Sequence, residues 1–198
     1  MIRLYGTITS PYVRRVRVVA EELGLAYELL DTASEPGQAS LRAKSPIWKV
    51  PAAEIEGQLV YDSHAISELL LERAGPGPLA PWRLDDVEAR NVLNVIDGAL
   101  DALINVFYLR KEGVAVDAVP YLKKQQERAK ASLSWLENAV YEPFVTSHKR
   151  LGLAEIGLAS ALGWMRFRNA YPVADHPRLM RCLEALEQRP SFAATQPA

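Results

Sequence analysis

The sequence predicts an α/β amino-terminal domain of order βαβαββα followed by an all-helical domain. Three observations carry this. Strand-like and helix-like patterns alternate up to residue 75. A Gly/Pro run, Gly75-Pro76-Gly77-Pro78-Leu79-Ala80-Pro81, then breaks the chain. Beyond it strand signals vanish and apolar residues recur at helical spacing. We therefore expect a first domain over 1–75, a linker over 76–84 and a helical domain over 85–198.

Ile2-Arg3-Leu4-Tyr5 alternates as a short strand. Ser10-Pro11 is a helix start, with Ser at the N-cap and Pro at the first helical position. Val13, Val16, Ala20 and Leu23 share one face of that helix, and Gly24 stops it. Ala26-Tyr27-Glu28-Leu29-Leu30 reads as a second strand, parallel to the first across the helical crossover. Ser34-Glu35-Pro36-Gly37 reads as a loop, with a short helix to follow before Ser45-Pro46. Ala52–Ile55 and Leu59–Tyr61 flank Glu56-Gly57-Gln58 as a tight hairpin. Asp62-Ser63 then caps a helix with Ile66, Leu69 and Leu70 inward. This is the element order of a thioredoxin-like domain.

In the second half, Ala89, Val92, Ile96, Leu100, Leu103 and Phe107 follow helical spacing, as do Leu122, Ala129, Leu133, Leu136 and Val140. Leu153 to Met165 is apolar nearly all round and should be a central buried helix. A last helix runs from about His176 to Gln188, and Arg189-Pro190 ends it.

Composition excludes several functions. The formal net charge is −1 over 198 residues, so no overall charge points to nucleic acid or membrane as a partner. The most apolar stretch, Leu158 to Met165, falls far short of the roughly 18 residues of a membrane span. Cys182 is the single cysteine, which rules out an internal disulfide or a CxxC redox pair. His64, His148 and His176 have no metal-ligand spacing. The amino terminus reads directly as a strand, without the apolar core of a signal peptide. These features lead us to expect a metal-free cytoplasmic protein.

Several motifs go further. Thr9-Ser10-Pro11-Tyr12-Val13-Arg14-Arg15-Val16-Arg17 resembles the active-site helix start of bacterial glutathione transferases. Lys49-Val50-Pro51-Ala52 is similar to their cis-proline segment, and Asp62-Ser63-His64-Ala65-Ile66 to their acidic-Ser glutathione-anchoring motif. Ala161–Arg168 and Arg189-Pro190-Ser191-Phe192 resemble the family's carboxy-terminal helices. One departure stands out. Where the family opens its buried helix with a Ser/Thr-x-x-Asp capping box, this chain has Gly152 and Glu155, so half of the reciprocal cap is missing.

The resemblance implies an enzyme that conjugates glutathione, as thiolate, to a small hydrophobic electrophile, with a detoxifying role. Ser10 is in any protein a good cap, but the same helix end favours an anion, and the resemblance makes that anion the glutathione sulfur. The activating hydroxyl is then Ser10, with Thr9 its nearest rival and Thr7 a distant one. Lys49, Val50 and Pro51 would hold the glycine carboxylate and the peptide-like cysteine. Asp62 and Ser63 would take the zwitterionic γ-glutamyl head. Tyr12, Ile104 and Tyr108 are candidates for the electrophile pocket, although a Tyr at helical spacing is more often core. Trp164 and Cys182 should pack the helical core, and Arg14, Arg15 and Arg17 should form a solvated, salt-bridged helix face. The resemblance further implies a homodimer. Two alternatives stay open: another glutathione-dependent enzyme, such as a peroxide or disulfide reductase, or a non-catalytic interaction protein on the same scaffold.

Overall fold

The computed structural model describes residues 1–197. The first part contains β1 (Ile2–Gly6), α1 (Pro11–Glu22), β2 (Tyr27–Asp31), α2 (Glu35–Lys44), β3 (Ala52–Ile55), β4 (Gln58–Tyr61) and α3 (Ser63–Ala74). The helical part contains α4 (Val87–Lys111), α5 (Pro120–Ala139), α6 (Leu153–Phe167), α7 (Pro177–Glu187) and the single turn α8 (Pro190–Ala193). The strands form a mixed sheet of order β2-β1-β3-β4. Leu4 of β1 lies opposite Leu29 of the parallel β2 and opposite Ala53 of the antiparallel β3. Glu56 and Gly57 close the β3–β4 hairpin with φ of 54° and 78°. That left-handed pair is the turn whose twist matches the flanking strands. The chain therefore has a thioredoxin-like α/β domain and a carboxy-terminal helical region.

Helix α1 ties the two together. Val13, Val16, Val18 and Val19 are buried in one core that also holds Leu4 and Ile55 of the sheet and much of α4 and α6. Helix α6 is buried at every position from Leu153 to Met165. Its Gly157 and Gly163 admit neighbours that a methyl would meet: an added Cβ would stand 2.6 Å from Leu93 Cδ1 and 2.3 Å from Arg14 Nη1.

The structure corrects four expectations. First, Arg14, Arg15 and Arg17 are buried, at 2%, 1% and 9% exposure. The helical part covers the α1 face that a single helix would expose. Arg14 Nη2 donates to the Phe192 carbonyl and Arg17 Nη2 to the Ala194 carbonyl, each at 3.2 Å. Cations there complement the carbonyl end of the last helical turn. Second, Ser34 is the N-cap of α2 and not part of a loop, its Oγ accepting from Gly37 N at 3.3 Å. Gly37 lies inside that helix at a place where a side chain does not fit, since a Cβ there would come 2.1 Å from the Asp31 carbonyl oxygen. Third, α4 is long and apolar enough to cross a bilayer by length and composition. Its Val92, Leu93, Ile96, Leu100 and Leu103 are nevertheless buried in the bundle. Fourth, the α6 start is well satisfied despite Gly152. Glu155 Oε2 accepts from Gly152 N at 3.0 Å, while Oε1 accepts from Thr146 N and Thr146 Oγ1 at 3.1 and 2.7 Å. One carboxylate thus serves the helix and the loop before it. Trp164 and Cys182 are buried in the helical core.

Candidate functional site

The site starts where β1 hands the chain to α1. Gly6 is required there: a Cβ would lie 2.4 Å from Val13 Cγ2. The chain then turns through Thr7, Ile8 and Thr9, with Ser10 N donating to Thr7 O at 3.2 Å. Ser10 is the N-cap in extended geometry, and its Oγ accepts from Val13 N at 3.3 Å. The hydroxyl proton is free to donate elsewhere. Thr9 Oγ1 lies 3.4 Å from Thr7 Oγ1.

Across from this helix end runs the segment before β3. The Val50–Pro51 peptide is cis, and Trp48 holds φ of 52°. Lys49 is exposed. Beside it, Asp62 caps α3 with φ of 71° and ψ of 152°. That conformation is essentially confined to glycine, and strain of this kind concentrates at ligand clamps. Asp62 Oδ1 accepts from His64 N at 2.7 Å and Ala65 N at 3.3 Å. Ser63 is buried, and its Oγ accepts from Arg15 Nη1 at 3.2 Å.

Helix α4 supplies the third wall. Its Asp97 pairs with the buried Arg15 and lies 2.5 Å from His64 Nε2. Burial works against the Asp97 charge, but His64 and Arg15 outweigh it and hold the carboxyl below its ordinary range. One turn on, Asp101 accepts from the Tyr12 hydroxyl. Burial, together with that hydrogen bond, pushes the Tyr12 phenol far up. Tyr12 is therefore a fixed donor to Asp101 and not a base for a thiol. Ile104 and Tyr108 follow on the same α4 face.

These walls enclose one cavity of about 910 Å³. Ser10, Thr9, Lys49, Val50, Pro51, Asp62 and Ser63 all line it, and so do Tyr12, Ile104 and Tyr108. Sequence reasoning missed Asp97, Asp101, Asn105 and Trp48 as lining residues, and assigned His64 no role. A readable signal existed for α4: Asp97, Asp101, Asn105 and Tyr108 recur every three or four positions within an otherwise apolar helix. Trp164 lines the cavity as well as packing the core. Among the described residues, no three His, Cys, Asp or Glu side chains are grouped to hold a metal ion.

Fold and cleft together define a class: a thioredoxin-like domain joined to a helical region, with a polar helix-end site facing an aromatic wall from the second part. Residues 4–78 match the family described as Glutathione S-transferase, N-terminal domain. The uncharacterised GST-like protein YibF of Escherichia coli is 28% identical, covering 99% of this chain and 98% of that protein. Glutathione S-transferase 4 of Zea mays is 25% identical over 88% and 90% of the two chains. Among solved structures, a Pseudomonas fluorescens Pf-5 glutathione transferase family member with bound glutathione is 29% identical, with TM-score 0.85 and full coverage of both chains. A Methylobacterium radiotolerans glutathione S-transferase in complex with glutathione sulfonate is 28% identical, with TM-score 0.85, over 99% and 94%. These likenesses support a place in the glutathione transferase superfamily.

Proposed function

We propose that this chain is a glutathione transferase that binds glutathione in its first 75 residues and conjugates it to an electrophile held against the helical part, with 76–84 as linker and 85–198 as the second domain. The observation that carries this reading is the convergence on one cavity of a capped helix end, a cis-proline segment and a strained Asp-Ser cap. Ser10 Oγ, with Thr9 as rival, donates to the sulfur. Val50 offers backbone groups to the cysteine as a short strand would, Lys49 meets the glycine carboxylate, and Ser63 and Asp62 meet the two charges of the γ-glutamyl head. Chemically this is addition to, or substitution on, an electrophilic carbon by a thiolate.

Thiol activation alone does not make a good enzyme. Lowering a thiol pKa from about 8.5 by roughly two units raises the thiolate fraction at pH 7 about 25-fold. A Brønsted slope near 0.45 takes back roughly 8-fold in nucleophilicity, leaving about threefold. The larger share must come from holding the electrophile beside the sulfur. The α4 wall is placed for that.

Reduction by a mixed disulfide with the protein is disfavoured. Cys182 is buried and its thiol is pushed up to about 11, burial being the largest cause. An interaction protein that holds no glutathione has no need of the strained Asp62. The reading includes a homodimer, a cytoplasmic setting and a detoxifying role. At micromolar concentration, light scattering should give twice the chain mass, and a single-chain mass would refute the dimer. Retention on immobilised glutathione, followed by conjugation of a chloronitroarene, tests the function. No retention sinks glutathione binding and favours the non-catalytic interaction protein, and retention without conjugation favours another glutathione-dependent enzyme.

A further inference from the structure

The α4 wall of the cavity carries a carboxylate without a compensating charge. Asp101 is exposed to the cavity, and among the described residues it makes no ion pair. Its neighbour Asp97 differs, being paired with the Arg15 guanidinium and in contact with His64. The contact Asp101 does have, the Tyr12 hydroxyl, is neutral and raises no objection to a second, charged partner. Asn105 Nδ2 donates to the Asp101 carbonyl at 2.8 Å, which leaves the Asn105 Oδ1 as a further acceptor. Around these lie aromatic faces: Tyr108, 53% exposed, and Trp164, with Phe107 edge-on to both. The lysine lining the cavity, Lys49, sits on the segment before β3 and not on α4.

Resting on the reading of the chain as a glutathione transferase, we propose that Asp101 sets the class of its second substrate: an electrophile with an aromatic body and a cationic group. A neutral apolar electrophile would strip water from the Asp101 carboxylate without replacing its hydrogen bonds, which is unfavourable. An anionic one would meet both Asp101 and the thiolate. A cation pairs with Asp101, while an aromatic body meets the exposed Tyr108 two turns further along α4. In substitution on a chloronitroarene the sulfur attacks the chlorine-bearing carbon and a C–S bond forms. The C–Cl bond then breaks, with chloride taking the electron pair and the thiol proton passing to solvent.

Three probes of one shape test this: 4-chloro-3-nitrobenzylammonium, 4-chloro-3-nitrobenzyl alcohol and 4-chloro-3-nitrophenylacetate. For each, kcat/KM is divided by the uncatalysed rate with glutathione at the same ionic strength. The cation should exceed the alcohol by about tenfold, the scale of a hydrogen bond to a charged group, and the anion should be the poorest. Asp101→Asn keeps an acceptor for Tyr12 and should bring cation and alcohol within about twofold of each other. The three corresponding S-aryl glutathione conjugates, titrated by calorimetry, read the same order without turnover. Equal treatment of the three probes and conjugates overturns the proposal, as does a cation preference that survives in Asp101→Asn. Either result, with glutathione still bound, leaves the transferase reading intact. Failure to bind glutathione at all refutes that reading, and the proposal with it.

Discussion

In the proposed function Ser10 and Ser63 serve opposite ends of one ligand, and single hydroxyl deletions should separate them. Ser63 Oγ accepts from Arg15 Nη1 at 3.2 Å and lines the cavity, which leaves its proton free to donate to a ligand there. Ser63→Ala should weaken glutathione binding roughly 10- to 100-fold, the cost of about 1.5–3 kcal/mol for a hydrogen bond to a charged group. Calorimetry on the folded variant reads this, and unaltered affinity would remove Ser63 from the anchor. The companion substitution Asp62→Ala is less clean, because it also deletes the cap on His64 N and Ala65 N. Ser10→Ala should leave affinity nearly unchanged, raise the pKa of bound glutathione by roughly one to two units and slow conjugation. Thr9→Ala should do much less, because Ser10 is the cap and Thr9 lies beyond the helix end. Thiolate absorbance against pH distinguishes them: a shift in Thr9→Ala alone would move the activating role to Thr9. At this scale the residues that line the polar side of the cavity were legible, since caps and X-Pro steps are local patterns. The arginines were not. Whether Arg14, Arg15 and Arg17 face water depends on what the distant α6 and α8 place over α1, and nothing within residues 11–22 records that.

Element boundaries were set by the same local chemistry and were legible where that chemistry is strong. The hairpin turn, the α1 and α3 starts and the Gly75 break all carry it. The opening of α2 was not legible, because Ser34-Glu35-Pro36-Gly37 serves equally as a turn or as a cap with Pro in the first helical turn. The approach of Gly37 to the Asp31 carbonyl is a contact that the local pattern does not record. Packing of α6 makes a prediction of two signs. At Gly163 an added methyl would meet Arg14 Nη1, and Arg14 is held by the Phe192 carbonyl. Gly163→Ala should therefore destabilise by about 1–3 kcal/mol through overpacking, in spite of alanine's better helix propensity. Gly98 of α4 has nothing within 4 Å of its added Cβ. Gly98→Ala should stabilise by about 0.5–1 kcal/mol. Thermal melts of the pair test both, and equal shifts of the same sign would refute the account of Gly163.

Over the whole molecule, α1 is the element through which the two parts hold each other, and its charged contacts make that hold sensitive to acid. Asp97 pairs with Arg15 near the cavity. At the other end Glu22 accepts from Arg189 Nε and Nη2 at 2.9 and 2.7 Å and from Ser191 Oγ at 2.5 Å. Burial alone would raise the Glu22 pKa, but Arg189 and Ser191 prevail and bring it below the ordinary 4.5. A carboxyl lowered in the folded state binds fewer protons there than in the unfolded chain. Its stabilisation is thus complete above about pH 5 and is lost as pH falls through the folded value. Asp97, also lowered, adds loss of the same sign in the same acid range. The contributions of Glu22 and Asp97 should accordingly be undiminished between about pH 7 and pH 5 and decline below about pH 4.5, while Glu155, whose pKa burial raises, contributes in the opposite sense. Glu22→Gln should cost about 1 kcal/mol at pH 7, a modest figure because Arg189 is 42% exposed and the pair is screened. The difference from the parent should shrink as the parent's own Glu22 becomes protonated, so that the two urea midpoints converge toward pH 3. A difference that stays constant from pH 7 to pH 3 would show that Glu22 contributes through packing and not through its charge, and that the carboxy-terminal turn is held by the Arg14 and Arg17 contacts to its carbonyls instead.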